Sequence, residues 1–213
     1  YVRGFKVVLD NDAEPLHSFT NVDEFFTRRL REGTRPFDAD PNVVLSPCDG
    51  EVVSAGPLSG NQLVQAKGRR YSLARFLEDS DLVPELTGGM QVTIYLSPRD
   101  YHRVHSPVGG KITGYRYVPG HLFPVNRAAV TRVEELFAVN ERLITLVDSP
   151  DYGKVAVGMV GAYGVGHISV SYDEIRTNKG GAEVVRRDFD SPRSIAAGGD
   201  GGAFHFGSTV VLI

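Results

Sequence analysis

Three separated segments of the sequence carry side chains that together could perform acyl transfer. Asp49 lies in a turn-like segment, His102 and His105 lie near the middle of the chain, and Ser208 follows Gly207 near its end. A carboxylate, an imidazole and a hydroxyl are the groups that activate a serine nucleophile. Each residue alone has an ordinary structural explanation, so only their combination predicts a reactive site.

The surroundings of Ser208 favour attack on the chain itself over attack on an external substrate. The G-x-S-x-G turn that exposes the nucleophile of many serine hydrolases is absent. Ser208 instead follows Gly207 in a strand-like run close to the end of the sequence, a poor position for a nucleophile that must meet an external substrate. We therefore predict self-cleavage at this bond and keep a serine hydrolase as an alternative.

The two histidines, His102 and His105, are three residues apart. In a helical turn this spacing places both side chains on one face, and it also occurs in metal sites. No third ligand is evident nearby in the sequence, so we predict no metal.

Short strands dominate the predicted secondary structure. Segments rich in β-branched and aromatic residues alternate with Gly, Pro, Asn and Asp, which predicts a mostly antiparallel β fold with a few short helices, in the α+β class. The predicted strands are 43–45, 51–53, 91–96, 111–118, 143–147, 155–160, 167–172 and 204–213.

Two helices are predicted. Asn21 can cap the first, over 22–31, with Glu24 as its capping-box partner. The second is short and covers 72–78. The glycine-rich stretch 198–202 is predicted to be a flexible loop.

One weak internal repeat is present. Ser46-Pro47 and Ser106-Pro107 each lead through a turn glycine into a predicted strand. The repeat is either a pair of ordinary β-turns or a sign of a barrel-sandwich hybrid, an architecture similar to that of lipoyl and biotin carriers. Neither turn offers the lysine between methionines that those carriers modify, so we exclude a carrier function.

Size and composition fit a single domain. A chain of 213 residues with 41% hydrophobic residues can bury a substantial core. A net charge of −3 gives no electrostatic case for nucleic acid binding. The single cysteine, Cys48, excludes an internal disulfide, and no apolar run is long enough to span a bilayer.

Longer motifs resemble the phosphatidylserine decarboxylase family. The most specific is the run Tyr-Leu-Ser-Pro-Arg-Asp-Tyr-His-Arg-Val-His at 95–105, which is similar to the central signature of that family. Further segments match in family order along nearly the whole chain: Phe25-Phe26-Thr27-Arg28-Arg29-Leu30, Arg35-Pro36, Pro47-Cys48-Asp49-Gly50, Gln65-Ala66-Lys67-Gly68, Tyr71-Ser72-Leu73, Val118-Pro119-Gly120, Leu122-Phe123, Val125-Asn126, Asn140-Glu141-Arg142 and Gly207-Ser208-Thr209.

Two positions depart from the family pattern. Phe206 stands where the family commonly has leucine before the cut. Both side chains are bulky and apolar, so we expect processing to be retained. Pro124 stands where a small polar residue is expected.

The resemblance implies a self-processing, pyruvoyl-dependent enzyme. His105 is implied to take the Ser208 proton, with Asp49 fixing the His105 tautomer, so that the serine oxygen attacks the Gly207 carbonyl. Elimination and hydrolysis then leave a pyruvoyl group at position 208 and release ammonia. The single catalytic domain, 1–213, would thereby become a β chain, 1–207, and an α chain, 208–213.

The reaction implied by the resemblance converts phosphatidylserine to phosphatidylethanolamine, with the pyruvoyl as electron sink. His102 is the implied acid that protonates the carbanion left by loss of carbon dioxide. Arg99, Arg103 and Arg127 are unranked candidates for binding the lipid headgroup.

The resemblance also implies peripheral contact with a membrane surface, bacterial cytoplasmic or organelle inner, through a segment expected upstream of Tyr1. It is compatible with a homodimer, and we predict no nucleic acid partner. Two further alternatives stay open at this point. One is a non-enzymatic barrel-sandwich relative, and the other is a pyruvoyl decarboxylase of a soluble amino acid.

Overall fold

The computed structural model of the protein describes residues 1–9, 14–38, 40–66, 69–164, 167–175, 177–179, 182–205 and 209–213. Two 3₁₀ turns cover Leu16–Ser18 and Ser80–Leu82. The helices are α1 (Val2–Phe5), α2 (Val22–Phe26), α3 (Leu73–Leu77), α4 (Val83–Leu86), α5 (Arg127–Arg132) and α6 (Leu136–Val139). The strands are β1 (Glu51–Pro57), β2 (Gln62–Ala66), β3 (Arg69–Ser72), β4 (Met90–Tyr95), β5 (Arg103–His105), β6 (Gly110–Val118), β7 (Arg142–Ser149), β8 (Gly153–Val160), β9 (Ile168–Val170), β10 (Val185–Ile195), β11 (Asp200–Phe204) and β12 (Thr209–Leu212).

A seven-stranded sheet in the order β1-β4-β12-β8-β7-β6-β10 forms the body of the protein. A three-stranded sheet, β5-β11-β9, and the hairpin β2-β3 complete the β structure of the described residues. The pairings between these strands are all antiparallel. The predicted mostly β fold with a few short helices is confirmed.

The last strand, β12, lies in the middle of the large sheet. It pairs with β4 on one side and β8 on the other, and its side chains are buried. A short, continuous apolar run is typical of a strand that is covered on both faces. Thr209, the first residue of β12, is therefore held between Tyr95 and Val160 inside the large sheet.

Two strand predictions were wrong in a way that matters for the site. The predicted strand 43–45 is irregular and largely exposed. The predicted strand 204–213 is two strands, β11 and β12, which belong to different sheets. Residues 206–208, between them, lie outside the described residues.

The prediction of a flexible loop at 198–202 was also wrong. The amide of Gly198 donates to the carbonyl of Ser106 at 2.8 Å, and the amide of Gly199 donates to the carbonyl of Ala196 at 2.9 Å. The remaining residues of the stretch belong to β11. Glycine-rich composition therefore marks close backbone packing here.

The predicted helices exist, but the first is shorter than expected. The Asn21 side chain accepts a hydrogen bond from the Glu24 amide at 2.9 Å, as predicted, and α2 ends at Phe26. The Glu24 carboxylate accepts from the amide of Thr20, one residue before the cap, at 2.7 Å. The second predicted helix is α3, capped by Ser72. None of the helices in the described ranges combines the length and apolarity needed to cross a bilayer.

Buried polar side chains hold α5 against β2 and α6 against α3. The Gln65 amide group donates to the carbonyls of Val130 and Val133 and accepts from the Leu136 amide, each at 2.8 Å. The buried guanidinium of Arg142 donates to four backbone carbonyls around α3 and α6. Because buried polar groups need partners, these contacts hold the helices in one position.

Candidate active site

The two Ser-Pro segments of the internal repeat have the same local structure. The hydroxyl of Ser46 donates to the carbonyl of Cys48 at 2.8 Å. In the second copy, the hydroxyl of Ser106 donates to the carbonyl of Val108 at 2.7 Å. Each segment is then followed by a strand, β1 in the first copy and β6 in the second.

The two segments are also bonded to each other in a reciprocal way. The amide of Leu45 donates to the carbonyl of Pro107 at 2.9 Å, and the amide of His105 donates to the carbonyl of Pro47 at 2.7 Å. This exchange supports an internal repeat over two unrelated turns. It also brings the segment that carries Asp49 beside the strand that carries His105, although the two are far apart in sequence.

Asp49 and His105 line one open cavity of about 420 Å³. Tyr101, Gly198 and Arg35 are also part of its wall. The sequence prediction that the carboxylate and one imidazole meet at a common site is therefore consistent with the fold.

The hydrogen bonds of His105 define its tautomer. Its Nδ1 lies 2.9 Å from the carbonyl oxygen of Gly198, which can only accept, so Nδ1 carries the proton. In the neutral ring the lone pair is then at Nε2. The Tyr101 hydroxyl lies 3.4 Å from Nε2, longer than a normal hydrogen bond to nitrogen. His105 is therefore oriented to act as a base through Nε2.

The carboxylate of Asp49 is bound by Arg35. Arg35 Nε lies 3.2 and 3.1 Å from the two carboxylate oxygens, and Arg35 Nη2 lies 2.8 Å from Oδ2. Within the described residues there is no hydrogen bond between Asp49 and His105, because the His105 Nδ1 proton goes to Gly198. The role of Asp49 in fixing the His105 tautomer stays a prediction.

The turn after Asp49 requires glycine at position 50. Its φ is +148°, and a Cβ atom at this position would lie 2.5 Å from the carbonyl oxygen of Tyr95. Only glycine allows this close approach. The turn therefore fixes Asp49 against the end of β4.

His102 lies in a different environment. Its ring has no solvent exposure, packs on the Phe26 ring with centroids 4.0 Å apart, and directs Nδ1 to the carbonyl of Asp100 at 2.7 Å. Nε2 is buried and has no hydrogen-bond partner in the part of the chain that the structure describes. Burial lowers the pKa of His102 to about 4, so the imidazole is neutral near pH 7.

The expectation that the two histidines share one face of a helical turn was wrong. Residues 103–105 form β5, and the amide of Phe204 donates to the carbonyl of His102 at 3.0 Å, which continues the β5–β11 pairing by one residue. Side chains alternate in an extended chain, so residues three apart point to opposite sides. No cluster of three or more metal-ligating side chains occurs in the described ranges.

Ser208, Gly207 and Phe206 lie outside the described residues, but both flanking residues are described. His205 follows β11, and Thr209 begins β12 opposite Tyr95. The Thr209 hydroxyl is buried and has no partner among the described residues.

A cavity of about 540 Å³ opens beside Thr209. Tyr95, the β1 residues 51–53 and side chains of α5 form much of its wall, together with Phe137. Its lining is largely apolar, with Glu51 at one side. Burial, reinforced by the charges of Asp100 and Glu51, raises the pKa of Tyr95, so its hydroxyl is a neutral hydrogen-bonding group.

The three candidate headgroup arginines differ in their environments. Arg103 is 14% exposed, pairs with Asp200 and donates to the carbonyl of Thr27 at 3.0 Å, which commits it to protein contacts. Arg99 is 63% exposed. Arg127 begins α5, beside the larger cavity, and its side chain lies outside what the structure describes.

Fold and site together define a β-rich protein with two differently placed histidines and, in the sequence between β11 and β12, a Gly-Ser pair. The family model for phosphatidylserine decarboxylase matches residues 22–213. The chain therefore belongs to the phosphatidylserine decarboxylase family, a family of carboxy-lyases.

Individual members of the family are similar to this chain over its whole length. The chain is 43% identical to the phosphatidylserine decarboxylase proenzyme of Myxococcus xanthus over 213 residues, which is 100% of this chain and 75% of that protein. It is 39% identical to the proenzyme of Brevibacillus brevis, with 100% and 76% covered. The proenzyme of Pseudomonas aeruginosa is also 39% identical, with 100% and 75% covered.

Three groups that contact the candidate site residues are not evident from the sequence. Arg35 belongs to a segment noted only for family likeness, and nothing in the sequence indicates that it binds Asp49. The Gly198 carbonyl could not be found, because any residue can present a backbone carbonyl. Phe26 was noted only as part of a family-like motif, and its contact with His102 depends on the fold.

Proposed function

We propose that the chain cuts its own peptide bond between Gly207 and Ser208 and then decarboxylates phosphatidylserine with a pyruvoyl group at position 208. The observation that carries this proposal is the placement of the flanking residues. β11 pairs with the strand that carries His105 and ends next to His102, whose carbonyl accepts from the Phe204 amide, and Thr209 opens β12 at the wall of the 540 Å³ cavity. The proenzyme names of the relatives agree with a cut.

The described residues fit a pyruvoyl group at position 208. Among the buried polar atoms without a hydrogen-bond partner in the described part of the chain are Thr209 Oγ1, next to position 208 in the sequence, and His102 Nε2. Buried polar atoms of this kind are costly unless a further group satisfies them. When bound, the pyruvoyl supplies an electron sink for the loss of carbon dioxide.

His105 is the proposed base for self-cleavage. Its Nε2 takes the hydroxyl proton of Ser208, and the serine oxygen bonds to the Gly207 carbonyl carbon. The peptide C–N bond breaks as His105 returns the proton to the departing amine, which leaves an ester. Loss of the Ser208 Cα proton then expels the Gly207 carboxylate and leaves dehydroalanine. This enamine gains a proton at Cβ and loses one from nitrogen to become an imine, and water replaces the imine nitrogen, which leaves as ammonia.

Asp49 is proposed to favour the protonated form of His105 during this step. Both residues line the 420 Å³ cavity, so the carboxylate can stabilise an imidazolium across it. A direct hydrogen bond requires Asp49 to exchange Arg35 for His105. The Gly198 carbonyl meanwhile holds the tautomer that makes Nε2 basic.

His102 is proposed to move a proton during decarboxylation. Its low pKa means that Nε2 carries a lone pair at neutral pH. A proton moves from the ammonium group of the substrate to Nε2, which is an uphill step because the charged ring is unstable when buried. For the same reason the ring gives this proton up readily to carbon. The same burial keeps bulk water away from the transfer.

The proposed substrate is a lipid at a membrane surface. The apolar lining of the 540 Å³ cavity suits a lipid better than a free amino acid. Near the N-terminal end, Phe5, Val8, Leu9 and Leu16 are exposed apolar side chains that suit peripheral membrane contact. A homodimer remains a prediction.

Intact mass spectrometry tests the cleavage, and a vesicle assay tests the substrate. We expect purified chain to separate into 1–207 and a 208–213 fragment with the mass of a pyruvoyl in place of serine, whereas Ser208→Ala stays whole. An uncut wild type contradicts the proposal. The cut protein should bind to and decarboxylate phosphatidylserine in vesicles, and equal turnover of free serine would favour the soluble amino acid alternative.

A further inference from the structure

His205, which precedes the undescribed stretch 206–208, is bonded through both ring nitrogens. Its Nδ1 lies 2.8 Å from Asp23 Oδ1, and its Nε2 lies 3.1 Å from the hydroxyl of Ser169. Its ring stacks on His167 with centroids 4.1 Å apart and an interplanar angle of 18°. The backbone amide of His205 donates to the carbonyl of His167 at 3.0 Å. We call these four residues the His205 cluster.

The His205 cluster joins parts of the chain that are distant in sequence. Asp23 lies in the first turn of α2, and Ser169 is the central residue of β9. The His205 side chain is 18% exposed, so these contacts are partly shielded from water. Two side-chain hydrogen-bond partners and a stacked ring indicate that the His205 imidazole is held in one orientation, which solubility alone does not require.

The cluster holds the chain on one side of the proposed cut, and β12 holds it on the other. Phe204, just before His205, is held by the hydrogen bond that its backbone amide donates to the His102 carbonyl. Thr209 is fixed between Tyr95 and Val160. The scissile bond therefore lies in a short span whose two ends are both bonded to the protein.

Attack of a serine on its own preceding carbonyl depends on this kind of restraint. The reacting atoms must be held about 3–3.5 Å apart and aligned, and a misplacement of about 1 Å can cost about 10²-fold in rate. A change in the position of the His205 backbone would move the start of the short stretch that leads to Gly207, two residues further along the sequence. Asp23 and Ser169 remove that freedom by fixing the imidazole from two directions.

We propose that His205 and Asp23 are positioning residues for self-cleavage, which rests on the proposed cut at Gly207–Ser208. Neither side chain takes part in proton transfer. Their pairing sets the conformation of the segment that presents the Gly207 carbonyl to the serine oxygen. The neutral and the protonated imidazole can both make this contact, since Nδ1 donates to Asp23 in either form.

The test is the first-order rate of cleavage after refolding, followed by intact mass, in a set of variants. We expect Asp23→Ala and His205→Ala each to slow cleavage by about tenfold or more. The double variant should be no slower than the slower single variant, because both remove the same contact. Asp23→Asn keeps an acceptor oxygen for Nδ1 and should cleave within about threefold of wild type.

Asp148→Ala is the matched control. Asp148 pairs with Lys154 at 2.6 Å, with side-chain exposures of 52% and 14%, close to the 53% and 18% of Asp23 and His205. This pair lies on β7 and β8, and its loss should leave the cleavage rate unchanged. The same substitutions in the uncut Ser208→Ala protein report the unfolding midpoint.

Several results would overturn the proposal. Wild-type cleavage rates in Asp23→Ala and His205→Ala would do so, as would an Asp23→Asn protein as slow as Asp23→Ala. Slower cleavage matched by an equal loss of thermal stability in the uncut protein would assign these residues a structural role only. An uncut wild type would instead reject the proposed function, so the two failures are distinguishable.

Discussion

His102 and His105 are the same residue type, three positions apart, yet their environments differ in almost every respect. His102 is fully buried against Phe26 and has a pKa lowered to about 4. His105 is half-buried, lines an open cavity and contacts Tyr101. Both direct Nδ1 at a backbone carbonyl, Asp100 for the first and Gly198 for the second.

A short extended segment thus presents two imidazoles with different properties, and each is a candidate for a different proton transfer. Because both Nδ1 atoms are committed to carbonyls, both rings offer Nε2 as the reactive nitrogen. The two rings then differ mainly in how deeply they are buried. The buried ring is suited to a step that must exclude water, and the ring at the cavity is suited to a step that uses nearby charge.

The largest expected effects come from replacing the two histidines, and each replacement should impair a different step, cleavage or decarboxylation. His105→Ala should leave the chain uncut, with a loss of at least about 10³-fold in cleavage rate, because the proposed base is removed. His102→Ala should still cut, but its lyase activity should fall by about 10²–10⁴-fold. Intact mass and a carbon dioxide release assay measure the two steps separately.

His17→Ala is the control, since His17 is exposed in a 3₁₀ turn and has no proposed role. It should cut and decarboxylate like wild type. If His102→Ala cuts and retains full lyase activity, His102 is a structural residue and the division of roles between the two histidines is lost.

A smaller effect should show whether Asp49 acts on His105. Asp49→Asn keeps the shape of the side chain and removes its charge, so the His105 imidazolium loses its stabilising partner. We expect cleavage to slow by about 10²-fold or more. Arg35→Gln removes the other partner of Asp49 and leaves the carboxylate free to approach His105, so it should slow cleavage by less than about fivefold.

Equal and large effects of Asp49→Asn and Arg35→Gln would contradict a role through His105. They would indicate that the ion pair between the two residues, and not the carboxylate alone, is what cleavage needs. First-order cleavage rates under identical refolding conditions decide between these outcomes.

The smallest effect concerns stability and depends on the burial of His102. Its pKa is lowered from an ordinary 6.5 to about 4, so the unfolded chain binds more protons than the folded one between these values. Stability should therefore rise with pH across this window and fall as the pH drops from 6.5 towards 4. The contribution approaches about 3 kcal/mol.

Urea unfolding of the uncut Ser208→Ala protein at pH 7 and pH 4.5 measures this contribution. Adding His102→Gln should flatten the pH dependence, because the neutral side chain cannot titrate. Adding His17→Gln should leave the dependence unchanged. An identical pH dependence with and without His102 would contradict the burial of its neutral form.

Much of the fold was predictable because its signals are local. The strand that became β12 is a run of buried apolar residues, and the Asn21 cap of α2 follows from one side chain and one amide. The error at 204–213 arose because β11 and β12 are both strand-like, and local composition cannot indicate that the chain passes from one sheet to another.

The sequence by itself determined the chemical groups and the family. Asp49, His102, His105 and Ser208 were identified as candidates from residue type, order and motif, since these properties can be read from the sequence. The Ser-Pro repeat was also visible, but its meaning was open until the reciprocal hydrogen bonds of Pro47 and Pro107 were known.

Only the tertiary structure decided how those groups differ. Arg35 binds Asp49, Phe26 covers His102 and the Gly198 carbonyl fixes the His105 tautomer through contacts between residues distant in sequence. Burial and backbone carbonyls have no residue code, because they depend on which surfaces the folded chain brings together. The sequence therefore names the candidate reactive residues, whereas packing decides which ring nitrogen of His102 and of His105 holds the proton.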